Sequence, residues 1–211
     1  MEPYVKILPT TLQAILLHFA VDVTREMRGI LVGSLNAPNV FVVTVIPLSS
    51  NEAISCSQIE SRCQDFSWTV GTQLGVVGWY HSHSELDATL TKQDIDFHLK
   101  FTAKFPNSVA LVGTFGRRSD DQMARVMSFT AFRCDLNGEP VQIQCFVRPL
   151  LPNPFSSKYY TVACLALENV LKIAEECVFS QQKEGRNYLD SSMLKPILMT
   201  LKSMIASPND L

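Results

Sequence analysis

Apolar positions recur along this chain at two spacings: three to four residues apart in some segments, and two apart or continuous in others. The first spacing puts side chains on one face of a helix, and the second builds strands. Over residues 10–24, Leu12, Ile15, Leu16, Phe19 and Ala20 keep helical spacing, with Thr10 or Thr11 placed to cap the first turn. His18 falls at the edge of that stripe and reads as a partly exposed surface histidine. Residues 27–34 and 40–46 are rich in β-branched side chains, and Asn36, Ala37, Pro38 and Asn39 between them signal a hairpin. Ile59, Cys63, Phe66 and Val70 return to helical spacing within residues 57–74.

Residues 75–80, GVVGWY, form a short, almost wholly apolar run, as in a central strand buried on both faces. Residues 91–104 read as a helix on Ile95, Leu99 and Thr102 or Ala103. Residues 109–115, 123–133 and 141–147 complete the strands, with Gly138 turning the last two. The order is helix, hairpin, helix, strand, helix and three strands. It predicts an α+β fold, a mixed sheet flanked by helices.

Three prolines within residues 149–154 break all periodicity and predict a boundary between a domain over residues 1–150 and a helical extension over residues 155–211. In the extension, Ala163, Leu167, Val170, Leu171, Ala174, Cys177 and Val178 form one apolar stripe. Leu194, Ile197, Leu198, Leu201, Met204 and Ile205 form a second, capped by Ser191 or Ser192, with Pro196 in its first turn. A helical pair alone is too small to hide both stripes. They pack on their own domain or against a partner subunit.

Composition narrows the classes. The chain has 211 residues, 46% of them apolar and 18% charged, enough for one domain with a substantial core. A net charge of −2 implies no basic face, so nucleic acid is not expected as a partner. No stretch approaches the roughly 18 uninterrupted apolar residues of a membrane span. The first residues lack the basic and small-residue signals of a secretory leader, so we expect a soluble intracellular protein of cytosol or nucleus. None of the six cysteines stands in a C-x-x-C pair, which suits reduced structural thiols better than metal ligands or a disulfide framework.

The candidate chemistry follows the apolar run. His81 and His83 stand two apart in an extended segment, so their imidazoles point to the same side and can reach one metal ion. Asp94, early in the next predicted helix, can return a carboxylate to the same ion. Two histidines, one carboxylate and an open fourth position make a catalytic zinc pattern, in which the metal brings the pKa of its bound water to about 7. Such a water also needs a proton acceptor. Glu26, at the start of the strand MRGILVGS between Arg25 and Arg28, is either that group or a solvated surface acid. H-x-H by itself is a weak signal, and the added Asp94 strengthens it.

This constellation resembles the JAMM (MPN+) metalloprotease family. Its signature is an upstream Glu, then H-S-H-P, a Ser and an Asp. Here Glu26 stands in REMRGILVGS, His81 and His83 in GWYHSH, seven residues separate His83 from Thr91, and two separate Thr91 from Asp94. The resemblance covers about residues 4–150. It implies an MPN fold, with His81, His83 and Asp94 as Zn2+ ligands and Glu26 as general acid and base. It also puts Thr91 in place of the serine whose hydroxyl steadies the oxyanion. The implied substrate is an isopeptide bond between ubiquitin, or a ubiquitin-like protein, and a lysine. Three positions depart from the pattern: Ser84 replaces the usual Pro, Thr89 a frequent Trp, and Thr91 the Ser. The strand, proline and helical pair at the end of the domain are similar to the BRISC-type deubiquitinase subunit, which implies an MPN-domain partner bound through the C-terminal helices.

Other chemistries fit less well. A non-catalytic MPN scaffold usually loses a metal ligand, and this chain keeps all three. A zinc deaminase requires H-x-E with P-C-x-x-C, and a serine hydrolase G-x-S-x-G; neither is present.

Overall fold

The computed structural model describes residues 2–21, 25–36, 38–49, 55–83, 88–118, 121–135, 137–148 and 156–183. Along the chain these form β1 (Tyr4–Ile7), α1 (Pro9–Val21), β2 (Arg28–Asn36), β3 (Asn39–Leu48), α2 (Cys56–Val70), β4 (Gly75–His83), α3 (Lys92–Lys104), β5 (Val109–Arg118), β6 (Asp121–Cys134), β7 (Pro140–Val147) and α4 (Ser156–Lys183). The expected helices and strands that fall on described residues are present with shifted ends. One strand was missed: β1 has four residues, too few to show a period. The three-proline boundary at residues 149–154 and the stripe from Leu194 to Ile205 lie outside the described residues.

The sheet is mixed, as expected, but it also closes. Its strand order is β1-β3-β2-β4-β5-β6-β7, and β1 pairs in parallel with both β3 and β7. β4 runs parallel to β5 and antiparallel to β2. Alternation divides the apolar side chains between the two faces. Leu31, Tyr80, Val109 and Leu111 join one buried cluster with α1 and most of α4, while Ile30, Trp79, Ala110 and Val112 join a second with α2.

Three readings of the helices are corrected. Helix α1 begins at Pro9, so Thr11 lies inside it, and its hydroxyl donates to the Val43 carbonyl of β3 instead of capping the helix. His18 is fully buried, not a surface residue: its Nδ1 lies 2.9 Å from the Tyr80 hydroxyl. The reason is that α1 is covered on two sides, by the sheet and by α4, so the edge of its stripe is also interior. On α3, Leu99 and Ala103 are exposed, and the face turned to the sheet runs instead through Ile95, His98 and Phe101.

The apolar stripe of α4 is buried within the chain itself: Ala163, Ala166, Leu167, Val170 and Ala174 are all shut from solvent. Near its start, the Thr44 hydroxyl of β3 donates to the Val162 carbonyl at 2.7 Å. None of the six cysteines is in a disulfide. No described helix is long and apolar enough to cross a membrane.

Candidate metal centre

The end of β4 carries Trp79, His81 and His83 on one face and Tyr80 on the other. Its parallel pairing with β5 extends through His83, opposite Thr114, so both histidines are held by the sheet and not by a loop. His81 Nε2 and His83 Nε2 approach to 2.6 Å. Asp94 arrives from the first turn of α3, with Oδ1 3.3 Å from His81 Nε2 and Oδ2 3.3 Å from His83 Nε2.

Thr91 places that carboxylate. It is the N-cap of α3, its Oγ1 accepting from the Asp94 amide at 3.2 Å. In return Asp94 Oδ2 accepts from the Thr91 amide at 2.8 Å and from its hydroxyl at 2.6 Å. This is a capping box with Asp in the third position, and it turns the carboxylate back toward β4. Burial would raise the Asp94 pKa, but hydrogen bonds from His81 and Thr91 outweigh it and hold the carboxyl well below the usual carboxylate range. The carboxylate is therefore ionised and ready to take a cation.

The donor set fits a divalent metal. One ligand atom from each of His81, His83 and Asp94 lies within 4.8 Å of the others. Two neutral imidazoles that face each other through Nε2 can hold only one proton between them, whereas a cation satisfies both lone pairs and the carboxylate together. Zinc–ligand bonds of roughly 2.0–2.1 Å about a tetrahedral centre put ligand atoms roughly 3.3 Å apart. The Asp94 contacts have that spacing, and the imidazole pair must part by a fraction of an ångström.

Glu26, two residues before β2, lines a cleft with His81 and Asp94. The Met27 amide donates to Ser82 Oγ at 2.9 Å, and the Ser82 amide donates to the Met27 carbonyl at 2.9 Å. The residue between the two histidines is thus pinned to the residue after Glu26. Glu26, Arg28, Trp79, His81, Asp94 and Phe97 line one cleft of about 190 Å³, with Glu26 exposed at its mouth. A larger hollow of about 730 Å³ lies beside α2 and the beginning of β4, away from these groups. Of the departures noted in the sequence, Thr89 is exposed and Ser84 lies outside the described residues.

Reading the sequence missed His98. It is fully buried, and its Nδ1 accepts from the Trp79 indole N–H at 3.0 Å. Burial, reinforced by the nearby Arg133 guanidinium, lowers its pKa to about 4, so His98 is neutral. Only its place one turn after Asp94 hinted at this.

Residues 3–107 match the family described as JAB1/Mov34/MPN/PAD-1 ubiquitin protease. The chain carries an MPN domain. No protein of curated function matches it. Among solved structures, protein DSY2949 from Desulfitobacterium hafniense, determined in solution, is similar at 17% identity and a TM-score of 0.50. That likeness covers 72% of this chain and 97% of the other, and it speaks for the fold alone. The histidine pair, Asp94, Thr91 and Glu26 all fall inside the matched MPN segment, whereas β5, β6, β7 and α4 follow it.

Proposed function

We propose that this MPN protein is a zinc-dependent isopeptidase that removes ubiquitin or a ubiquitin-like protein from lysine side chains. The observation that carries the reading is the cluster of His81, His83 and Asp94 at a cleft that His81 and Asp94 line together with Glu26, within a domain matching a ubiquitin-protease family. His81 and His83 through Nε2, and Asp94 through its carboxylate, would hold the ion. A zinc ion bound there supplies Lewis acidity toward the scissile carbonyl and a water acidic enough to deprotonate near neutrality.

The remaining work falls to the chain's own residues. Glu26 accepts the proton of the attacking water. It returns that proton to the lysine nitrogen as the C–N bond breaks, and the product acid gives up its own proton to the amine, leaving a carboxylate and an ε-ammonium. Trp79 and Phe97 present an apolar wall to the cleft. Thr91 orients Asp94. A share in steadying the oxyanion, as the resemblance implies, requires its hydroxyl to leave the Asp94 carboxylate. The Leu194–Ile205 stripe is assigned to an MPN-domain partner subunit of the BRISC type, and the cytosol or nucleus to the complex.

Zinc content and cleavage of linkage-defined diubiquitins test the reading, with wild type and Glu26→Gln in parallel. About one zinc per chain is expected, with cleavage lost on chelation and in Glu26→Gln while that variant keeps its zinc. Zinc without cleavage, alone and with a partner subunit, would make the protein a scaffold. A chain that binds no zinc would remove the metal centre altogether.

A further inference from the structure

A metal-bound imidazole is ordinarily fixed by the hydrogen bond that its second nitrogen donates. His81 lacks that restraint: among the described residues its buried Nδ1 has no partner. Its ring is held by a face instead. Trp79, two residues earlier on the same side of β4, stacks on it with centroids 4.7 Å apart and planes 21° from parallel. The indole is itself held at two places. Its N–H donates to His98 Nδ1 at 3.0 Å, and the Phe97 ring meets it edge-on at 4.8 Å between centroids.

Asp94, Phe97 and His98 fall within one turn of α3, so they project to neighbouring positions on that helix. The same turn that carries a carboxylate ligand also carries the groups that fix the indole. We infer that Trp79 and His98 are positioning residues for the metal centre: His98 orients the Trp79 indole, and the indole orients the His81 imidazole toward the ion. This rests on the metal-centre reading of His81, His83 and Asp94. It makes α3 a single rigid part that sets two of the three ligands, one directly and one through the aromatic pair.

The experiment uses the full chain and two readouts. The first is zinc affinity, measured by competition with a chromophoric chelator. His98→Leu removes the acceptor and is expected to weaken zinc binding by about tenfold or more, the usual range for loss of an outer-shell partner. His98→Asn, whose side-chain oxygen can replace Nδ1, is expected to recover most of the loss. Trp79→Phe keeps an aromatic face but lacks the N–H, so it asks the same question should His98→Leu fail to fold.

The second readout needs no metal. The chain has two tryptophans, the exposed Trp68 and the buried Trp79, and hence two separate indole N–H resonances. In zinc-free His98→Leu the Trp79 resonance is expected to shift and its ring contacts with His81 to disappear, with Trp68 unmoved. Contacts that persist in that variant, or an unchanged zinc affinity, would overturn the inference. A wild-type chain that binds no zinc but loses these contacts in His98→Leu would overturn the proposed function and leave the aromatic clamp standing.

Discussion

Met27 and Ser82 are joined by two hydrogen bonds, one from each backbone amide, each 2.9 Å long. Ser82 lies between His81 and His83 and Met27 follows Glu26, so this pair ties the proposed metal ligands to the proposed proton acceptor. Ser82→Ala removes one bond and leaves the buried Met27 amide unpaired, a cost of about 1–3 kcal/mol. The histidines keep their places in β4, so zinc should be retained. Displacement of Glu26 should lower kcat by about tenfold or more. Zinc titration beside steady-state cleavage separates the two effects, and equal loss of both would refute a role confined to Glu26.

Thr91 serves α3 and Asp94 at once. Thr91→Val keeps the shape but loses the cap and the hydroxyl bond to Asp94 Oδ2. Helix stability should fall by about 1 kcal/mol, and zinc binding should weaken by about tenfold. Thr91→Ser should preserve both. Urea denaturation and zinc competition check this, and a Thr91→Val chain with undiminished zinc affinity would sink it.

His18 makes the fold acid-sensitive. Burial lowers its pKa from 6.5 to about 4. Between those values the unfolded chain binds a proton that the folded chain refuses, so stability falls as pH drops from about 6.5 to about 4. The loss attributable to His18 should be on the order of 3 kcal/mol, and the neutral, buried His98 adds to it with the same sign. Denaturant unfolding of the zinc-free protein across this range measures it. A His18→Gln chain should show a shallower pH dependence.

Gly33 stands at a β-bulge where β2 slips one residue against β3. A Cβ there would lie 1.8 Å from the Phe41 carbonyl oxygen, which is backbone and cannot swing aside. Gly33→Ala should therefore cost at least about 2 kcal/mol and open the β2–β3 pair. Hydrogen exchange of the Val42 and Phe41 amides would report it, and unchanged protection would rule it out.

The periods in the sequence located nearly every element, because a helix face and a strand face are local properties of spacing. The histidine pair was legible for the same reason: in an extended segment, residues two apart share a side whatever the rest of the chain does. The capping relation of Thr91 to Asp94 is also local, and only its hydrogen bonds show that the hydroxyl is turned to the carboxylate.

What the sequence could not determine depends on partners distant along the chain. Four residues of β1 become a strand only between β3 and β7, where they close the sheet. His18 looks like an edge residue until α4 and Tyr80 cover it. Glu26 enters the cleft because Met27 is tied to Ser82, fifty-five residues later, and His98 matters because Trp79 lies beside it. Spacing decides which side chains share a face; only packing decides what that face meets, because burial and hydrogen bonding are set by whatever the fold brings opposite.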